Sequence, residues 1–258
     1  MFDTHAHLCW EAFDGDRDKV VEEARKKIKG VLVSSARLEE GVKVLELVKK
    51  NPGFLFASIG YHPINLTSDK YIRGGESGDD FGKVIELIRK NRDKILAIGE
   101  VGLDFHWEKD LEKQERQKEV FSHFIELAKE LHKPIVIHSW EAEREAFEII
   151  KGTGLKATFH CYTGPRDLAM EIVKEGFFVS INTNVIFSKA IRKTATAIPL
   201  ESMLLETDSP FMDPDHSRKR NTPENILLSA EKIGELRGVS AEEVGKAAWE
   251  NAKRFLGI

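Results

Sequence analysis

Two histidines set one residue apart, His5 and His7 in the stretch Phe2-Asp3-Thr4-His5-Ala6-His7-Leu8, are the first residues of the chain that suggest chemistry. The stretch reads as a strand. Strand side chains alternate between faces, so both imidazoles point the same way. Two neutral imidazoles converging on one point suit a divalent cation. Taken alone, such a pair is more often one buried and one surface histidine. The rest of the chain shifts that balance. His62 follows the third apolar run, Glu100 the fourth, His138 the fifth, His160 the sixth and Asp208 the eighth. Each has an ordinary alternative: a carboxylate after a strand can cap the next helix, and a lone histidine can be a satisfied buried residue. Together they point to metal, because charged groups are rarely buried unpaired. The set His5, His7, Glu100, His138, His160 and Asp208 exceeds the three protein ligands of one catalytic zinc. It divides more naturally between two cations sharing a carboxylate, and such a pair about 3.5–4 Å apart activates water for displacement at phosphorus.

The elements that must carry these residues alternate along the chain. Short apolar runs at 31–33, 54–59, 95–98, 135–137, 157–159, 177–181 and 203–205 follow the first strand. Between them lie helical patterns at 14–29, 38–50, 81–92, 111–132, 141–151, 166–174 and 186–197, and two more close the chain at 222–237 and 241–255. Residues 64–79 are polar and glycine-rich and read as a loop, because the strand–helix rhythm resumes at once. Alternating β and α elements imply a parallel sheet, and eight units in 258 residues favour a closed (β/α)8 barrel, with one domain over residues 1–258. No dinucleotide-binding glycine turn and no phosphate-binding Walker loop appears, which disfavours an open doubly wound sheet. In a barrel of this kind function collects at the C-terminal strand ends, where the candidate residues fall.

Composition narrows the class. A formal charge of −4 gives no global basic excess for wrapping long nucleic acid, although a local patch is compatible with it. Two cysteines, Cys9 and Cys161, make no disulfide framework and suggest a reducing interior. No leader pattern and no membrane-spanning apolar run is legible, so a cytoplasmic enzyme or binding protein without a membrane or obligate protein partner is expected.

At these residues the sequence resembles the TatD family of metal-dependent deoxyribonucleases, within the amidohydrolase superfamily. The matching pieces are Asp3-Thr4-His5-Ala6-His7-Leu8, Gly60-Tyr61-His62-Pro63, Ile98-Gly99-Glu100-Val101-Gly102-Leu103-Asp104, Pro134-Ile135-Val136-Ile137-His138-Ser139, His160-Cys161-Tyr162-Thr163-Gly164, Glu206-Thr207-Asp208-Ser209-Pro210 and Arg220-Asn221-Thr222-Pro223. They stand in family order and span almost the whole chain. The resemblance implies that His5, His7, Glu100 and Asp208 hold one metal and that Glu100, His138 and His160 hold the other, with Asp208 also managing the proton of the attacking water. It places His62 on the phosphate side. The metals implied are two divalent ions, zinc, magnesium, manganese or nickel, and the substrate is DNA or a nucleotide, cut exonucleolytically at strand ends. The rival readings are a hydrolase of carboxylic ester, amide or lactone bonds on the same barrel and a non-catalytic binding barrel, which the intact ligand set disfavours.

Two departures bear on substrate choice. Many family members carry arginine directly after the His-Ser of the fifth strand, where this chain has Trp140, a residue able to stack on a base or simply to pack. Ile64-Asn65-Leu66 stands where a second histidine is frequent. The basic run His216-Ser217-Arg218-Lys219-Arg220-Asn221 follows Asp208, and Arg220 and Asn221 are expected to contact substrate. Cys161 is expected to be structural and to point away from His160, and His106, His123, His132 and Trp107 carry no motif support.

Overall fold

Apolar runs too short for helices, bounded by Gly, Pro and polar residues, become strands that are buried on both faces. In a computed structural model describing residues 1–67, 80–215 and 220–258, they form β1 (Phe2–Ala6), β2 (Gly30–Ser34), β3 (Leu55–Ile59), β4 (Ile95–Asp104), β5 (Ile135–Trp140), β6 (Ala157–Phe159), β7 (Phe178–Ile181) and β8 (Met203–Leu205). All pair in parallel and in chain order. The sheet closes where the end of β1 meets the segment after β8. Ala6 bridges Ser209, Asp208 N–H donates to His5 O (2.9 Å), and His7 N–H donates to Ser209 O (2.7 Å). Buried Asp3 reinforces the seam by accepting from the backbone N–H (2.9 Å) and hydroxyl (2.6 Å) of Thr207. The result is the expected (β/α)8 barrel.

The helices α1 (Arg17–Arg25), α2 (Leu38–Lys50), α3 (Phe81–Lys90), α4 (Leu111–Leu131), α5 (Glu143–Ile150), α6 (Arg166–Lys174), α7 (Lys189–Ala197), α8 (Ile226–Arg237) and α9 (Ala241–Leu256) follow. Among the described residues no helix is long and apolar enough to cross a membrane. Ser240 caps α9 as expected, in a reciprocal pair with Glu243.

The barrel interior is graded. Phe2, Leu32, Ala97, Val136, Phe178 and Leu204 cluster with Phe255 and Leu256 of α9, so the helix plugs the N-terminal end. Two residues further along the same faces stand Thr4, Ser34, Ser180 and Glu206. The Thr4 and Ser180 hydroxyls meet at 3.4 Å. Above this layer come the histidines and carboxylates. On β1 the register shifts between Asp3 and Ala6, so Phe2 and Thr4 face the interior below while His5 and His7 face it above.

The strand expected at 95–98 instead runs to Asp104. Gly99 looks like a breaker in the sequence, but the register with β5 only shifts between Ile98 and Val101 and then resumes. That irregularity delivers Glu100 to the interior. Gly102, at φ 140°, must be glycine, because a Cβ there would collide with the His138 carbonyl. The helices expected at 14–29 and 186–197 are shorter, running over Arg17–Arg25 and Lys189–Ala197.

Candidate metal centre

Glu100, 2% exposed, sits at the middle of the strand ends, and its two oxygens face different neighbours. Oε2 lies 3.5 Å from His5 Nε2 and 3.4 Å from His7 Nε2. Those two nitrogens are 3.1 Å apart and lie 3.7 and 3.4 Å from Asp208 Oδ1. Oε1 lies 2.7 Å from His160 Nε2, 3.0 Å from His138 Nδ1 and 3.2 Å from His62 Nε2. His138 Nδ1 and His160 Nε2 are themselves 3.3 Å apart.

These spacings fit divalent cations. Tetrahedral ligands at about 2.0–2.1 Å from a zinc ion stand about 3.3 Å from one another. Two groups of donor atoms, His5–His7–Glu100 and Glu100–His138–His160, share Glu100, a third joins His5 and His160 to Asp208, and imidazole with carboxylate is the donor chemistry that zinc, manganese and nickel accept. Asp104, His138 and His62 form a further neighbouring group. His62 is fixed differently, however. Its Nδ1 accepts the Ile64 N–H (3.0 Å), so its proton sits on Nε2, aimed at Glu100. In that tautomer His62 is a hydrogen-bond donor at the rim of the cluster.

The electrostatics of the cluster point the same way. Burial pushes the Glu100 carboxyl up, but His62, His160 and His138 outweigh it and hold it well below the usual range. Burial likewise opposes ionisation of Asp208, yet His7 and His5 keep it low. Burial works against the charge on His7, but Asp208 and Glu100 push it up to about 9. His138 is desolvated too, and Asp104 and Glu100 push it up to about 8. Burial and the neighbouring His160 lower His5. The two buried carboxylates thus favour positive charge on the groups around them, as they would favour a cation.

A cation must displace those protons, so its affinity is linked to pH. Apparent affinity should climb as pH rises from 6.5 through about 8 and level off above about 9, with protons released on binding. Titration calorimetry in buffers of different ionisation enthalpy checks this, and an affinity flat from pH 6 to 9 would contradict it.

The sequence reading missed the groups that orient the histidines. His138 Nε2 lies 3.0 Å from Asp104 Oδ2, which leaves Nδ1 facing the cluster. His5 Nδ1 lies 3.2 Å from Ser34 Oγ. His160 Nδ1 stands 3.5 Å from Glu206, whose Oε1 also accepts the Cys161 N–H at 2.5 Å. Asp104 and Glu206 lie inside the family motifs, four residues after Glu100 and two before Asp208. Carboxylate–histidine pairs of this kind set ring orientation and raise ligand basicity. Asp104→Asn is expected to weaken metal affinity about 10- to 100-fold while leaving the fold intact, as competition with a chelating dye would measure. Unchanged affinity would remove Asp104 from the account.

Two expected substrate residues make contacts within the chain. Asn221 is fully buried, and its amide donates to Thr183 Oγ1 (3.0 Å), Thr207 O (2.9 Å) and Met212 O (3.1 Å). Arg220 grips both oxygens of Asp16 (2.6 and 2.5 Å), donates to Ala12 O and lies over the Phe13 ring. Both side chains tie the segment after β8 to the body of the barrel. The preceding basic residues, Arg218 and Lys219, lie outside the described residues. Cys161 has a left-handed backbone (φ 47°); its sulfur accepts from Asn182 Nδ2 at 2.9 Å, and burial keeps the thiol protonated by raising its pKa.

Comparison with known proteins fits this geometry. The family profile described as TatD related DNase matches residues 2–257. An uncharacterized metal-dependent hydrolase of Methanocaldococcus jannaschii, MJ1582, is 39% identical over 253 residues, which is 98% of this chain and 95% of that protein. Deoxyribonuclease TATDN3 of Homo sapiens is 36% identical over 259 residues, 99% of this chain and 94% of that one. The crystal structure of YjjV, a TatD homologue from Escherichia coli K12, shares the fold with a TM-score of 0.88 at 24% identity, covering 100% of this chain and 98% of the other. A profile spanning nearly every residue, together with full-length relatives well above 30% identity, places the chain in the TatD-related DNase family of metal-dependent hydrolases.

Proposed function

We propose that this hydrolase is a deoxyribonuclease that cuts DNA phosphodiester bonds from strand ends with two divalent cations. The observation that carries the reading is the division of labour at Glu100, with one carboxylate oxygen facing His5 and His7 and the other facing His138 and His160. The similarity to deoxyribonuclease TATDN3 supports DNA as the substrate class.

In this reading His5, His7, Glu100 and Asp208 hold one cation, and Glu100, His138 and His160 the other. Bound there, the pair would supply Lewis-acid polarisation of a phosphoryl oxygen and a lowered pKa for the attacking water. Asp208, held ionised, takes the proton of that water as its oxygen attacks phosphorus. The phosphorus–oxygen ester bond opposite breaks, the leaving oxygen takes a proton from bulk water and departs as an alcohol, and Asp208 returns the proton it accepted to solvent. His62, with its proton fixed on Nε2, presents a donor on the phosphate side. Asp104 and Ser34 keep the imidazoles of His138 and His5 aimed.

The test is a substrate panel of mononucleotides, end-labelled oligonucleotides and acyl esters, given to protein reconstituted with zinc, manganese or magnesium. Shortening of oligonucleotides from one end is expected. Turnover of acyl esters alone would reject the nuclease reading.

A further inference from the structure

Past the metal centre, β5 ends in an exposed aromatic platform. Trp140 is two residues beyond His138, hence on the same strand face and about 6.6 Å further along it. The imidazole of His106 stacks on one indole face at 3.8 Å and 1° from parallel, and Trp107 meets the indole edge-on at 6.1 Å. Glu141 clamps this arrangement through His106 Nδ1 (2.8 Å) and Lys109 Nζ (2.9 Å), and the Trp107 N–H donates to Asp104 (2.9 Å), the same carboxylate that orients His138. The platform is therefore braced against the metal centre. Trp140 nevertheless stays 40% exposed, an unusual state for so large a ring. It lines a pocket of about 550 Å³ together with Glu143, Gly164, Arg166 and Lys193.

The lining is chemically mixed in a particular way. It offers one aromatic face, two basic side chains and two carboxylates, the half-buried Glu143 and Glu141, which is already paired with His106 and Lys109. Glu143 can accept from an exocyclic amine on a base edge. Lys193 is exposed, and Arg166 is paired only with the exposed neighbouring Asp167 (2.9 Å) among the contacts described. The volume lies within the range of small-ligand pockets. A paired base has both faces covered by its neighbours, whereas an unpaired base has a face to give.

We propose that Trp140 and this pocket form a nucleoside subsite that takes one unpaired nucleotide beside the scissile phosphate, the base on the uncovered indole face and the adjoining phosphate towards Lys193 and Arg166. The inference rests on the nuclease reading of the metal centre and deepens it: the substrate is a single strand or a frayed end. The stacking role follows from ring geometry, so phenylalanine should serve in place of tryptophan and alanine should not.

The experiment measures binding, separately from turnover. Metal-loaded protein is titrated with a fluorescent trinucleotide carrying hydrolysis-resistant linkages, and with versions in which each position in turn is abasic. In the unmutated protein, one abasic position should weaken binding about tenfold or more. Trp140→Ala should bind the intact and that abasic trinucleotide equally, and Trp140→Phe should restore the difference. An unchanged base preference in Trp140→Ala would overturn the subsite. Trp140-dependent base preference in a protein that leaves DNA uncut would uphold the subsite while rejecting the nuclease reading. DNA hydrolysis without Trp140-dependent preference would do the reverse.

Discussion

Glu100→Gln is expected to lower metal-dependent hydrolysis by about 10³-fold or more, the upper end for loss of one electrostatic group, and to reduce the metal bound per chain. The side chain keeps its size but loses the charge that faces both groups of donors. Glu100 Oε2 neighbours His5 and His7, and Oε1 neighbours His138 and His160, so one substitution disturbs both. Neighbouring carboxylates raise the pKa of three histidines beside it, His7, His138 and His160. Replacing the carboxylate leaves that positive charge less well balanced, and cations meet a more repulsive site. Circular dichroism should show the barrel intact, and elemental analysis should show the metal loss. A Glu100→Gln protein with full metal content and full activity would remove Glu100 from the centre of the account.

The second large effect is expected at Asp208, and there the choice of replacement matters. Asp208 has a left-handed backbone (φ 54°), and its N–H donates to His5 O across the barrel seam. Asparagine tolerates that conformation better than alanine does. It also keeps an oxygen able to face a cation. Asp208→Asn should therefore preserve the fold and most metal binding while removing the group that accepts the water proton. Loss of a general base costs about 10²–10⁴ in rate. The loss should fall on kcat with little change in KM. A rate within threefold of the parent, or a loss confined to KM, would contradict the proton-accepting role.

How much of this was legible beforehand differs from residue to residue. His5 and His7 announce themselves through two-residue spacing, and Glu100, His138, His160 and Asp208 through their places after apolar runs, so the barrel and the convergence of these six side chains could be anticipated. The strand period is simple and local, and a parallel sheet in chain order turns strand ends into neighbours. What stayed hidden depends on distant partners. Asp104 and Glu206 look like any motif carboxylates until β5 and β6 lie beside them. Arg220 and Asn221 read as free polar groups near a strand end, but their partners Asp16 and Thr183 lie 204 and 38 residues away in the chain. The length of β4 was concealed by Gly99 and Gly102, which serve close backbone approach where the sequence suggests a turn. Trp140 was visible as a departure from the family, whereas the His106 ring beneath it was not, because no spacing rule links residues 106 and 140.

The grading of the barrel interior explains why the site sits where it does. Apolar side chains and α9 close the lower end, hydroxyls form the middle, and donors for cations occupy the top. Polarity rises along the strands towards the C-terminal end, where barrels of this kind collect function.

The most direct measurement is a metal titration of chelator-stripped protein followed by hydrolysis of an end-labelled oligonucleotide. The account predicts no cleavage without metal, cleavage that reaches its plateau at two equivalents of divalent ion per chain, and products shortened from one end. Full cleavage in the presence of chelator, or a plateau at one equivalent, would contradict it.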